Sequence, residues 1–181
     1  MSTLSKFSDE QIREITDAVD AAVYVCHING ETGEIILLAN DEMLDHCEVS
    51  LGDNGAEMAL PDGVRDWQKE TLAQEKANRA KIKSWGKRHT IIIEKPTPHE
   101  VFETMRGFVD KVIPAGRLKE DLEEALLQRR PFRDLNAIID RCDYREAWCI
   151  FKRDALEEYV RWQISQYESS NPCGGKKKDA V

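Results

Sequence analysis

The apolar positions of the chain change period several times, and each change marks an element. Ile12, Ile15 and Val19 stand at i, i+3 and i+7 within residues 8–20, the spacing of one helix face. Ser8 precedes them and Gln11 follows it by three residues, a capping-box pair for the helix start. From Ala22 to Ile28 the run AVYVCHI is rich in β-branched and aromatic residues, and IILLA from Ile35 to Ala39 is its counterpart. Between them NGETG supplies residues that tolerate positive φ, so residues 22–39 predict a β-hairpin. HTIIIE, from His89 to Glu94, predicts a third strand that ends at Lys95 and Pro96.

The helical pattern is strongest after that strand. Thr97, Pro98 and Glu100 form a helix start. Val101, Phe102, Met105, Phe108, Val109 and Val112 then make one broad apolar face. Pro114, Ala115 and Gly116 end that helix; Leu118, Leu122, Ala125 and Leu126 mark the next, which stops before Pro131. Phe132, Leu135, Ile138 and Ile139 mark a third, and residues 144–167 a last one, with Trp148, Phe151, Ala155, Leu156, Tyr159 and Trp162 on one side. Residues 63–85 predict a long helix with a thin stripe of Val64, Trp67, Ile82 and Trp85 whose middle stays wet, closed by Gly86. Residues 41–62 read as an irregular acidic connection, with DEMLDHC able to form a turn or two of helix.

The pattern as a whole predicts an α+β fold, a small three-stranded antiparallel sheet packed by a mainly helical C-terminal half. It fits one domain over residues 1–168 and a polar, disordered tail over 169–181.

Charge sharpens this picture. The chain has 181 residues and a formal net charge of −8, which disfavours adsorption to nucleic acid or anionic membrane by bulk charge. Residues 1–64 hold 2 basic and 14 acidic side chains, whereas residues 65–88 hold 8 basic and 3 acidic. Arg65, Lys69, Lys76, Arg79, Lys83, Lys87 and Arg88, with Trp67 and Trp85 among them, make this segment a candidate nucleic-acid surface. No helix-turn-helix, zinc-finger or RNP-type signature accompanies it, and a solvated helix face explains the same residues. Five cysteines, no C-x-x-C pair, no leader-like start and no apolar run of membrane-spanning length suit free thiols in a reducing cytoplasm.

Candidate chemistry concentrates between Arg129 and Lys152. Arg129, Arg130 and Arg133 flank a helix start at Pro131. Guanidinium forks suit carboxylates and phosphates, and a helix start offers free N–H groups. Phe132, Trp148 and Lys152 complete a candidate groove. Basic residues also suit the end of the preceding helix, and aromatic residues at helical spacing also fill cores. Cys26 with His27 and His46 with Cys47 are the only Cys/His neighbours, too few for a four-ligand metal site. The sequence points to no metal, cofactor or catalytic constellation: phosphate-cradling glycine loops, a serine elbow and H-E-x-x-H are all missing.

Residues 90–163 resemble bacterial uncharacterised protein family 0158. The resemblance rests on the strand ending at Pro96, VFETMRGF from Val101 to Phe108, the helix holding Leu122 to Leu127, PFRD from Pro131 to Asp134, and Trp148 with Phe151. The hairpin at Thr32, Gly33 and Glu34 is similar too, so the likeness touches most of residues 20–166 except 41–88. Gln128, Arg130 and Pro131 replace the two glycines and the alanine of the family's Gly-x-Gly-Ala-Phe-Arg segment, while Phe132 and Arg133 keep it. The resemblance implies a bacterial α+β protein and no particular activity. The expectation is a non-enzymatic cytoplasmic binding or adaptor protein for an acidic peptide or phosphate-bearing ligand. A nucleic-acid binder using residues 65–88 is the first alternative, and an enzyme of unrecognised type the second.

Overall fold

A computed structural model describes residues 7–40 and 65–170. Residues 41–62, read above as an acidic connection, and most of the tail expected over 169–181 lie outside the described residues. The protein is α+β: six helices and a three-stranded antiparallel sheet among the described residues, with a helical C-terminal half. The elements are α1 (Asp9–Ala21), β1 (Tyr24–Asn29), β2 (Ile35–Ala39), α2 (Asp66–Trp85), β3 (Thr90–Ile93), α3 (Pro98–Val112), α4 (Arg117–Leu127), α5 (Pro131–Ile139) and α6 (Arg145–Ser170). They fall into two compact units, Met1–Lys95 with Val160–Val181, and Pro96–Tyr159.

In the first unit β1 is central, in the order β2-β1-β3. The hairpin turn is built by Asn29. Its side-chain oxygen accepts from the N–H groups of Glu31 and Thr32 at 2.9 and 3.1 Å, while Gly33 takes a φ of 76° that favours glycine. Ala22, expected in the strand, is instead the left-handed cap of α1 at φ 60°. Its carbonyl accepts from Asn40 Nδ2 at 2.8 Å and Lys95 Nζ at 2.9 Å, two anchors that hold the strained turn.

Residues paired across strands share a face. One face carries Cys26 and Ile28 with Ile35, Leu37, Ile91 and Ile93; the other carries Val25 and His27 with Ile36, Leu38 and Ile92. Glu14 of α1 acts electrostatically on Cys26, and Arg79 of α2 acts on His27. The sheet is therefore covered on both faces, by α1 on the first and α2 on the second. This explains why IILLA and TIII are continuous apolar runs rather than alternating ones. α2 packs on β2 and β1, so Ile92 of β3, on the same face, stays half exposed.

α1 begins with the predicted Ser8–Gln11 capping box and buries Ile12, Ile15, Ala18 and Val19. Thr16 is buried among them and satisfies its hydroxyl on the Ile12 carbonyl at 2.8 Å. α2 does not bury the stripe that its tryptophans suggest. Its inward positions are Leu72, Glu75, Arg79 and Ile82, whereas Trp67 is 53% exposed.

The second unit is helical. Met105, Phe108, Val109, Ile113, Leu122, Ala125, Leu126, Leu135, Ile139 and Trp148 form its core. Phe108 is fully buried at the centre and meets Trp148 and Phe151 edge-on, with ring centroids 5.1 and 5.5 Å apart. Thr97 and Glu100 cap α3 as their spacing predicts. In α6 the buried positions run Trp148, Leu156, Val160 and Ile164, so the expected stripe drifts and Trp162 is exposed. No helix among the described residues is long and apolar enough to cross a membrane.

Candidate functional site

The end of α4 and the start of α5 lie three residues apart in the chain, at Gln128, Arg129 and Arg130. Pro131 forces the break: it has no N–H to give the preceding helix and its fixed φ suits a first helical position. The two arginines of the link are exposed. Arg130 is the N-cap of α5, and no side chain caps that helix start. Its first carbonyl is used, by Asp134 N–H at 3.0 Å. Arg133, on the first turn, is exposed and bonds Asp134 through Nε and Nη2, both at 2.8 Å. Both contacts go to one carboxylate oxygen in solvent, so the pair holds Arg133 only weakly.

Apolar side chains stand among these cations. Leu127, the last residue of α4, is 86% exposed, and Phe132 is 37% exposed. The sequence offers Phe132 both for the helical stripe of α5 and for the candidate groove, and does not single out Leu127. The signal was legible: Leu127 lies beside the Leu118, Leu122, Ala125, Leu126 stripe rather than on it. The seven residues Leu127–Arg133 thus present two apolar side chains and three guanidinium groups on a short link.

One member of the candidate groove does not belong to that surface. Trp148 was read as a possible stacking wall, but it is 8% exposed and packed against Phe108, so it offers no face to a ligand. Lys152 is half-buried one turn further along α6.

The basic segment is also divided. Arg79 was expected on the ligand side and is turned inward, where it bonds the buried Glu75 carboxylate at 3.1 Å. Its Nε and His27 Nδ1 are buried with no hydrogen-bond partner among the described residues. Burial, with the Arg79 charge second, holds the His27 imidazole below its ordinary pKa. Lys81 pairs with Glu34, and Lys69 with Asp66 at 3.1 Å. Arg65 is exposed at the start of α2. Lys76, Lys83 and Lys87 are exposed. Lys76 and Lys83, seven residues apart with Ala73 and Ala80 in the same row, lie along one flank of the helix, whereas Lys87 stands beyond its end at Trp85, after Gly86 at φ 76°. Arg88 is exposed just beyond the helix end.

Among the described residues no group of three or more His, Cys, Asp or Glu side chains could hold a metal ion. No family model, curated protein or solved structure matches this chain.

Proposed function

We propose that this protein is a binding module for an acidic peptide with apolar side chains, received at Leu127–Arg133. The observation that carries the reading is Leu127. A leucine left 86% exposed beside three arginines has little to gain from water and everything to gain from an apolar contact. The arginines supply forked donors for carboxylates, and the uncapped start of α5 adds backbone N–H groups. Kinship with bacterial family 0158 is part of the same proposal, because Phe132 and Arg133 are the residues of PFRD that carry the likeness.

The test is fluorescence anisotropy with a labelled peptide that alternates Glu and Leu, against the same peptide with Lys for Glu. The acidic peptide binds at low salt, and both Leu127→Ser and Arg129→Glu with Arg130→Glu weaken it. Leu127→Ser removes no core contact, so its melting temperature stays that of the parent. Binding that is absent, or that both variants leave intact, sinks the proposal.

One observation favours a second reading. Lys76, Lys83 and Lys87 have no acidic partner among the described residues, whereas Arg79 and Lys81 are consumed by Glu75 and Glu34. Such unpaired cations would contact a phosphate backbone without reading its sequence. Contact with about three phosphates would give a log-log salt slope near −3, and Lys76→Glu with Lys83→Glu would remove the binding. Absence of binding to a short duplex at about 50 mM salt rejects this reading.

A further inference from the structure

The sheet has two edges and the fold treats them differently. Gly30 N–H donates to His89 O at 2.8 Å, which sets the phase of β3: His89, Ile91 and Ile93 turn their backbone groups to β1, and Arg88, Thr90, Ile92 and Glu94 turn theirs outward. α6 occupies both ends of that outer edge. Gln163 accepts from Glu94 N–H at 3.0 Å and donates to Glu94 O at 2.9 Å, and Tyr167 Oη donates to Arg88 O.

Among the described residues the outer edge of β2 has no such cover. Asn29 N–H donates to Glu34 O at 2.8 Å and Asn40 N–H to Val23 O at 3.0 Å. These bonds bracket the strand, so Ile36 and Leu38 face β1 while Ile35, Leu37 and Ala39 turn their N–H and C=O groups outward. No described residue bonds to those groups. The register runs without a bulge from Tyr24↔Ala39 to Ile28↔Ile35, and IILLA contains no proline and no charge. Bulges, prolines and charges are the devices by which an edge is kept from pairing.

We propose that β2 pairs antiparallel with β2 of a second copy of this chain, about a two-fold axis at Leu37, joining two three-stranded sheets into one. The phase of the strand makes this register self-complementary. With the axis at Leu37, that residue faces its own copy and Ile35 faces Ala39. All three are in the outward phase, so every facing pair exchanges two backbone hydrogen bonds. A slip by one residue would set outward groups against residues that face β1 and lose the bonds. No like charges oppose each other, because Glu34 falls opposite Asn40 and is already paired with Lys81. The interface is isologous, as a closed dimer requires.

The experiment is sedimentation velocity and light scattering of the full chain over a concentration series, with Leu37→Pro beside it. The Leu37 N–H points away from β1, so proline removes no bond of the hairpin. The parent is expected at twice its 20.7 kDa, and Leu37→Pro at the single-chain mass with an unchanged circular dichroism spectrum. If Leu37→Pro unfolds, Leu37→Lys carries the same test. Hydrogen exchange adds a readout: the Ile35, Leu37 and Ala39 amides are protected in the parent dimer, and the Ile35 and Ala39 amides are exposed in Leu37→Pro. A parent that is monomeric throughout, a dimer that survives these variants, or a monomer with these amides protected by the chain itself overturns the proposal.

Discussion

The ring of Tyr167 lies directly over Gly30. A Cβ built on Gly30 would stand 2.6 Å from Tyr167 Cε1 and 2.8 Å from its Oη. The glycine lets the tyrosine reach across the hairpin end to the Arg88 carbonyl. Gly30→Ala is expected to push the ring tip aside and lose that hydrogen bond, a cost of about 1 kcal/mol. Tyr167→Phe should cost about the same. Because both changes remove one interaction, the double variant is expected to cost clearly less than the sum, a coupling that urea melts can measure.

Ala22 sits at φ 60° and ψ 7°, where a Cβ crowds the following carbonyl. Ala22→Gly relieves that strain but loosens the unfolded chain, and the net gain is expected to be about 0.5 to 1 kcal/mol. Its carbonyl anchors to Asn40 and Lys95 are backbone-directed and survive the change. A thermal melt that shows destabilisation would contradict this account of the cap.

His27 makes stability depend on pH. It faces Arg79 of α2, while its cross-strand neighbours Ile36 and Ile92 carry no charge. Burial and Arg79 lower its pKa from the ordinary 6.5. The folded state therefore binds the proton less readily than the unfolded chain. The contribution is complete above pH 6.5 and declines as pH falls below that value. Glu100, held below its ordinary 4.5 by the Thr97 N–H and hydroxyl, adds its own loss only under more acid conditions. Replacing His27 with Gln should flatten stability between these two values and leave the acid limb.

The thiols should separate sharply. Cys26 is 1% exposed, and burial, with Glu14 second, pushes its thiol up to about 12. Cys149 is exposed on α6. Alkylation of the native protein at about pH 8, read by peptide mapping, is expected to modify Cys149 and spare Cys26 until the protein unfolds. Early labelling of Cys26 would mean that α1 opens readily from the sheet.

Much of the candidate site was legible along the chain. The break at Pro131, the exposed Arg129 and Arg130, and the helix starts at Ser8 and Thr97 follow from local chemistry that needs no distant partner. Whether Trp148 fills the core or walls a groove, and whether Arg79 faces a ligand or its own helix, is decided by each side chain's neighbours. Phe108 draws Trp148 into the core, and Glu75 draws Arg79 under its helix.

The sequence by itself determined the type and order of the elements and that the fold is α+β. Caps, turns and apolar periods act within a few residues, so they can be read in order. Tertiary structure alone decided that β1 is central, that the sheet is covered on both faces, and that Trp67 and Trp162 stay exposed while Leu72 and Ile164 are buried. Those outcomes depend on which surface each helix meets, and burial against a partner outweighs the helix's own pattern. The difference between the edge at β3, capped by α6, and the edge at β2, to which no described residue bonds, is of the same kind. Both strands are short apolar runs, and only the placement of Gln163 and Tyr167 tells them apart.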